Sequence, residues 1–582
     1  MLKLLQKSYL GKVKMIYIDP PYNTGNDFIY PDDFSESLQT YLEYTGQADA
    51  EGRKFSTNTE ASGRFHSNWM NMMYPRLYLA RNLLSDHGVV FVSIDDHEAD
   101  NLHKVCNDVF GEENFVAQLV WEKGRKNDAK LFSIGHEYIV VYARSLAGLR
   151  ERNTIWREQK PGAQELWDEY ERLRSKRGGD HARIEADLQT WFTGLPANHP
   201  SRKLARYRRV DVYGPWRDRD ISWPGGEGPS YDVLHPATGQ PCKVPDAGWR
   251  FSNPEEMQRQ IQAGLVQFRA DHTEPPFRKA HLRPIPEELA EDGDAPDEDS
   301  SDEDLGTSVR GSYFYKQSQV AVKYLRSIMG KKVFDNPKDH EELLRLIKYV
   351  TRPDDDGIVL DFFAGSGSTA EAVLHANLQT KRHLKFILVQ LPEPCNPKER
   401  SGKAAIEEGL ATIADICEER VRRVIKKLNQ EDAGKLPLDG KQKQDRGFRV
   451  FKLAESNFLA WNADIPQGDV ATLEKQLEMH VDHVRHGRTA EDRLYELLLK
   501  SGFPLTTPVE TLTIRDKTVY SIAEGAMLIC LDEGLTLEVM RAMAARKPSR
   551  VVCLDEGFAA NDQLKANAVQ TFKDKSVFFQ TV

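Results

Sequence analysis

Cysteine is scarce and scattered here: six thiols in 582 residues, at positions 106, 242, 395, 417, 530 and 553, with no Cys-x-x-Cys pair. That excludes a disulfide framework or a zinc knuckle as the source of stability, and it fits a reducing, cytoplasmic setting. Long apolar runs are also missing. No stretch approaches the roughly 18 residues a membrane span needs, and no charged-then-apolar leader opens the chain, so no membrane association is expected. No Gly-Lys-Ser/Thr follows a glycine-rich turn, which excludes a phosphate-binding P-loop. His97-Glu98 is followed by Asn101 where a zinc-protease helix needs a second histidine. His480, His483 and His486 sit three apart and read as a solvated helix face, so no metal is expected.

An excess of positive charge is lacking as well. The formal net charge is -10, which superficially argues against a nucleic-acid partner, because duplex DNA selects for Lys and Arg facing its phosphates. The acidic residues, however, are concentrated between Glu291 and Asp304, where nine of fourteen positions are Asp or Glu. Arginine clusters elsewhere, so the average hides the distribution. A 40% hydrophobic fraction is ordinary for globular proteins, and the length predicts three or four domains.

The pattern along the chain is α/β. Val13 to Ile18 predicts a buried strand that stops at two prolines. A helix is predicted from Trp69 to Leu84, with Pro75 starting or kinking it and Gly88 just past its end. A strand from Val89 to Ile94, a helix through Leu102 and Val109, and strands near Phe115 to Trp121 and Tyr138 to Tyr142 follow. Between about 145 and 315 the alternation is lost: charged helical stretches (Glu165 to Asp187) give way to a segment rich in Pro, Gly, Trp and Arg, then to the acidic run, read as a linker or flap. Alternation resumes with a helix from Asp339 to Val350, a strand from Gly357 to Asp361, a glycine-rich turn, a helix from Ser368 and a strand from Lys385 to Gln390. A final α/β segment carries strands at Val519 to Ile522, Met527 to Leu531 and Arg550 to Leu554.

Two turns carry chemistry. Asp19-Pro20-Pro21-Tyr22 leaves the first strand. The nitrogen of an aromatic amine such as adenine is a poor nucleophile because its lone pair is delocalised into the ring. Acceptors fixed near its hydrogens, the Asp19 carboxylate and the Pro20 carbonyl, favour the geometry in which that lone pair points at an incoming methyl group. Pro21 adds rigidity, and the Tyr22 ring can stack on a base turned out of the duplex. The bland alternative is a proline-rich strand exit. The second turn runs from Asp361 through Phe363, Ala364, Gly365, Ser366 and Gly367 to Ser368. Its glycines allow a cofactor to approach the backbone, and Asp361 offers a partner for an ammonium group. Gly365-x-Gly367-x-x-Ala370 also satisfies a relaxed dinucleotide fingerprint, so a nicotinamide enzyme competes, as does a turn without any ligand. The pair is stronger than either member: methyl transfer needs one loop for the amine and one for the donor, each at the carboxyl end of a parallel strand.

These residues resemble the beta-class amino-methyltransferases, specifically the modification (Mod) subunits of type III restriction-modification systems. The resemblance rests on Ile16-Tyr-Ile-Asp-Pro-Pro-Tyr-Asn-Thr-Gly25, Trp69-Met-Asn-Met-Met-Tyr-Pro-Arg-Leu77, Val90-Phe-Val-Ser-Ile-Asp-Asp-His-Glu98, Phe334-Asp-Asn-Pro-Lys338, Phe362-Phe-Ala-Gly-Ser-Gly367 and Gly447-Phe-Arg-Val-Phe-Lys452. It implies a circularly permuted, Rossmann-like methyltransferase fold that uses S-adenosylmethionine to methylate adenine N6 in DNA; the cytosine N4 alternative is disfavoured by Asp at the first tetrapeptide position. Residues 1–148 are expected to form the catalytic half and 149–312 a target-recognition insertion containing the acidic linker 291–304. Residues 313–428 would form the cofactor half and 447–582 a C-terminal α/β domain that resembles the part used for subunit association. By resemblance Asp19, Pro20 and Tyr22 hold the target base, and Asp361 with Phe363 to Ser368 hold S-adenosylmethionine. Phe334 and Lys338 line the same pocket. Gln390, where many methyltransferases place an acid on the cofactor ribose, is expected to give a weakened contact. The resemblance further implies double-stranded DNA as substrate, a homodimer and a separate restriction subunit with helicase and nuclease activity. Such proteins also carry a Gly-Asp-Asn-Leu segment ahead of the tetrapeptide, so an N-terminally shortened chain is expected, and a subunit that binds DNA without methylating it is the second reading.

Within the recognition insertion, Ser201 to Arg219 holds seven basic residues interleaved with Tyr207, Tyr213 and Trp216. Arg206, Arg208, Arg209 and Arg217 are the candidates for gripping DNA phosphates or reading guanine edges. A solvated charged face is the alternative.

Overall fold

The computed structural model describes all residues except 25–64, 125–130, 226, 284, 286–306, 354, 380–381, 434–443, 459–483, 486 and 560. The acidic linker 291–304 and the three histidines at 480, 483 and 486 lie outside the described residues. The chain forms two compact units: Met1–Thr154 with Ser312–Val582, and Ile155–Gly311.

The first unit is built on a seven-stranded mixed sheet. Its strands are β1 (Val13–Ile18), β2 (Leu84–Ile94), β3 (Phe115–Glu122), β4 (His136–Ala143), β5 (Tyr313–Tyr315), β6 (Ile358–Asp361) and β7 (Lys385–Leu388), in the spatial order β5-β3-β4-β2-β1-β6-β7. β1 lies between β2 and β6 and runs parallel to both. A central parallel strand is covered on both faces, which is why Val-Lys-Met-Ile-Tyr-Ile reads as a continuous apolar run rather than an alternating one; every residue in it but Lys14 is buried. β4 runs antiparallel to both β2 and β3.

Helix α1 (Leu2–Tyr9) and helix α2 (Phe65–Leu83) cover the sheet with α3 (Ala99–Phe110). α2 presents Trp69, Met72, Met73, Leu77, Ala80 and Leu83 to the core, and it continues through Pro75 instead of ending there. Burying each of these larger side chains contributes about 1.5–3 kcal/mol, which outweighs the hydrogen bond that proline cannot make. Gly88, predicted just beyond the helix, lies inside β2. Ahead of β6, α4 (His340–Val350) is capped by the Asp339 carboxylate, which accepts from the amides of Glu341 and Glu342. α5 (Ser368–Gln379) leaves the glycine-rich turn, and α6 (Ile413–Ala433) packs beside it. A five-stranded sheet completes this unit, formed by Val509–Ile514, Lys517–Ile522, Met527–Cys530, Arg550–Cys553 and Phe578–Thr581 in sequential order. Its start is tied to α1 by the Tyr9 hydroxyl, which accepts the Leu505 amide at 2.8 Å.

In the second unit the charged stretch from Glu165 to Asp187 proves to be two helices, Ala163–Arg177 and His181–Gly194. Gly178 ends the first, and the Asp180 carboxylate caps the second by accepting the Arg183 amide. A four-stranded antiparallel sheet follows, from Arg209–Asp211, Gly214–Arg219, Val266–Gln267 and Phe277–His281. Sequence periodicity gave no sign of this sheet, because its strands are two to six residues long and rich in charge.

Candidate active site

The register of the central strands decides where the two turns go. Ile16 pairs with Leu360 in parallel, so Asp-Pro-Pro-Tyr and the glycine-rich turn leave neighbouring strands at the same sheet edge. Parallel sheets bind ligands in such crevices. A cavity of about 580 Å³ opens there, and Asp19, Pro20, Pro21, Tyr22, Phe334, Lys338, Asp361, Phe363, Ala364, Gly365, Ser366 and Ser368 all line it. Gly367 and Gln390 do not. A Cβ on Gly367 would stand 3.1 Å from the Cys417 sulfur and 3.2 Å from its carbonyl oxygen, so this glycine serves the close packing of the turn on α6. Gln390 spends its amide oxygen on the Gly365 amide, at 2.7 Å.

Around Asp19 the structure assembles a buried charged cluster that sequence reasoning captured only in part. Lys338 Nζ lies 3.0 Å from Asp19 Oδ1 and 2.8 Å from Glu137 Oε1. Lys123, just beyond β3, also pairs with Glu137. The single hydrogen of the Tyr22 hydroxyl is shared between Asp19 Oδ1 (2.9 Å) and Glu137 Oε2 (3.0 Å), and its oxygen accepts from Lys338 (2.6 Å). Two carboxylates thus face two ammonium groups, and the cluster is neutral. Burial disfavours a charged Lys338, yet Asp19 and Glu137 hold its ammonium well above the usual lysine range. Burial and the Lys338 charge bring Lys123 down to about 8. Burial pushes against an ionised Glu137, but Lys338 and Lys123 keep its carboxyl below the usual range. Burial and the two carboxylates raise the Tyr22 phenol well above 10, so it remains a donor. Tyr22 is therefore pinned by its hydroxyl, with Lys338 Nζ 5.0 Å from its ring centre, and is not a freely swinging stacking platform. The Pro21 carbonyl is held by the indole N–H of fully buried Trp69, at 2.7 Å. Glu137 carries a recognisable signal in hindsight: it is an acid at the start of a strand whose last five residues are buried.

The glycine-rich turn is shaped from within. Asp361, 3% exposed, accepts the Phe363 amide on Oδ1 at 3.0 Å and the Thr369 hydroxyl on Oδ2 at 2.6 Å. Burial raises its carboxyl to about 7, against the lowering effect of those two donors. Gly365, at φ +50, has no atom nearer than 3.7 Å to where a Cβ would stand, and that nearest atom belongs to the Phe334 ring. Bare backbone beside an aromatic ring, in a cavity of the size small-molecule sites have, fits the nucleoside cofactor of a methyltransferase. From below, Arg420 of α6 donates to the hydroxyls of Ser366 (2.9 Å) and Ser368 (2.7 Å) and pairs with Glu371 at 2.8 Å.

Over residues 13–393 the chain matches the family model described as DNA methylase, covering N6 and N4 enzymes. It is 30% identical to the type III restriction-modification enzyme EcoP15I Mod subunit of Escherichia coli, over 99% of this chain and 82% of that protein. The chain belongs to the type III modification subunits of the DNA methylase family. The EcoPI Mod subunit of Escherichia phage P1 is 28% identical over 99% of this chain and 82% of its own length. The StyLTI Mod subunit of Salmonella typhimurium is 30% identical over 81% of this chain and 61% of its own. The protein is accordingly an α/β DNA methyltransferase of a restriction-modification system, with S-adenosylmethionine as its cofactor.

Among the described residues of the methylase, one group of metal-ligand types comes together: His340, Glu371 and His375, with ligand atoms within 4.8 Å of one another. Glu371 is already committed to Arg420 and to the Tyr324 hydroxyl, so its charge serves the turn. Arg420 and Glu371 are 1% and 0% exposed. Replacing one member of such a pair strands a buried charge. Arg420→Met is expected to cost about 3–5 kcal/mol in urea unfolding, and adding Glu371→Gln to recover a measurable part of that loss. Equal stability of wild type and Arg420→Met would show that the pair does not hold the turn.

Proposed function

We propose that the methylase transfers a methyl group to adenine N6 in double-stranded DNA, with Asp19 and Pro20 orienting the amine and the Phe363–Ser368 turn holding the cofactor. The observation that carries this reading is the single cavity lined by both turns. S-adenosylmethionine supplies an electrophilic methyl group on a sulfonium, so the protein has to position and polarise, without a covalent step. Among the described residues, the Tyr22 hydrogen bond and the Lys338 ion pair to Asp19 both fall on Oδ1, which leaves Oδ2 as the acceptor for an amine hydrogen. Lys338 keeps Asp19 in place, Glu137 keeps Lys338 in place, and Tyr22 ties all three together.

Asp361 is proposed to face the cationic end of the cofactor, with Phe334 against its nucleoside. A carboxyl near 7 must lose its proton to pair with an ammonium, and the ionised fraction grows as pH rises. Cofactor affinity, measured by calorimetry, is therefore expected to rise from pH 6 to pH 8 with proton release, and Asp361→Asn to flatten that dependence. An affinity already independent of pH in the wild type would remove Asp361 from this role.

Residues 155–311 are proposed to form the target-recognition part. Arg206 and Arg208 are exposed, whereas Arg209 and Arg217 are half-buried; Arg209 stacks 5.2 Å from the Trp216 ring centre, and Arg206 and Arg217 each lie 5.7 Å from that of Tyr207. Tyr207 and Trp216 are themselves buried, so they support the arginines instead of offering faces to bases. Phosphate contacts are assigned to Arg206 and Arg208, and neutralising both should reduce the salt slope of DNA binding by about two units. An unchanged slope would place the DNA elsewhere.

The resemblance to type III modification subunits also supports a homodimer, with residues 447–582 taking part, and a restriction subunit as partner. The six cysteines, all free and buried, fit a reducing cytoplasm. The direct test is sequencing of modified bases in DNA from cells expressing the chain. N6-methyladenine at one motif is expected, and an Asp19→Asn variant should lose about 10²–10³-fold in rate. Methylcytosine, or unmodified DNA despite bound cofactor, would overturn the reading.

A further inference from the structure

The connection from β3 to β4 runs from Lys123 to Gly135, and Lys123 and Glu137, the second residue of β4, both line the cavity that holds Asp19. Strand register explains why. β4 starts opposite the carboxyl end of β2, with Tyr138 facing Ile94, and β2 runs parallel to β1, with Val92 beside Ile18. The connection therefore leaves the sheet at the same edge as Asp-Pro-Pro-Tyr. In its described part, Leu131 and Phe132 are 92% and 95% exposed, the highest values for large apolar side chains among the described residues, and Ile134 is 63% exposed. Large apolar side chains left in water, on a connection whose two flanks line the Asp19 cavity, have no folding rationale, and they mark a surface that meets something else.

The chemistry says what that is. The N6 amine inside a stacked pair cannot be approached in line, so the target base has to leave the duplex, and unstacking it opens an apolar gap. Proteins that unstack bases fill such gaps with Phe, Leu, Ile or Met. We infer that Leu131 and Phe132 form a wedge that enters the duplex as the target adenine leaves it, occupying the vacated space beside the unpaired partner base. The inference rests on the proposed methylation of adenine in double-stranded DNA. Asp19 and the wedge would then act on the two sides of one event, the first receiving the base and the second preventing its return.

The test uses the full chain with Leu131→Ala and Phe132→Ala combined, on duplexes carrying the motif that modified-base sequencing defines. Single-turnover methylation of the paired duplex should fall by about tenfold or more, while DNA with an abasic site opposite the target adenine, which has already lost its pairing, should be methylated at nearly the wild-type rate. Equal losses on both substrates would overturn the wedge, as would no loss on either, the result expected if this surface docks a protein subunit. A second measurement needs no methyl transfer. Fluorescence anisotropy should show the wild type favouring mixed-sequence duplex with an abasic site over intact duplex, and the double variant losing that preference. A wild type without the preference sinks the wedge, whereas a preference without any methylation sinks only the catalytic reading.

Discussion

Burying the ammonium of Lys338 is the constraint around which the active centre is organised. A lone cation removed from water costs several kcal/mol, and only well-placed carboxylates with additional hydrogen bonds offset that cost. Asp19 and Glu137 provide them from two strands separated in the sheet by β2, and the Tyr22 hydroxyl joins all three groups. The position of the Asp19 carboxylate is thus set by electrostatic neutrality as much as by the two prolines that follow it. Lys338 immediately precedes the Asp339 cap of α4, and its carbonyl accepts the Ser368 hydroxyl at 2.8 Å. One residue therefore connects the Asp19 loop to the Gly365 turn.

A second buried pair repeats this logic behind the Gly365 turn. Arg420 reaches from α6 to Glu371 on α5, and its remaining donors go to Ser366 and Ser368. The turn is supported from within by Asp361 and from behind by Arg420, while Gly365 leaves its cavity side free of any side chain. A rigid, bare backbone of this kind suits a reaction whose acceleration depends on holding two groups at a fixed separation.

Much of this was legible in the sequence, for reasons that can be stated residue by residue. The strand before Asp19 is a fully covered parallel strand, so its apolar run stood out. Asp19-Pro20-Pro21-Tyr22 and the Gly365 turn are local motifs, and local motifs survive reading one residue at a time. Lys123 and Arg420 were not legible, because each acts on a residue well removed in the chain and no short pattern surrounds it, and Glu137 left only the trace of an acid opening a buried strand. Gly367 and Gln390 were read as cofactor contacts from their place in a motif, yet packing against Cys417 and a hydrogen bond to Gly365 account for them here. Tyr207 and Trp216, interleaved with the arginines of the second unit, are core, which the run of charge around them gave no means of telling. Helical boundaries at Gly178 and Asp180 were missed for a simpler reason: charge on both sides of the break masked the change of helix.

The pairing of β1 with β6 joins residues that ribosomes produce far apart in time. At ordinary elongation rates of roughly 5–20 residues per second, Val13–Ile18 waits on the order of tens of seconds for Ile358–Asp361 to be made. Throughout that interval an almost wholly buried strand of the finished sheet presents one unsatisfied edge, the kind of template on which nascent chains associate. Synthesis of this protein should accordingly depend on holdase chaperones far more than its finished stability would suggest.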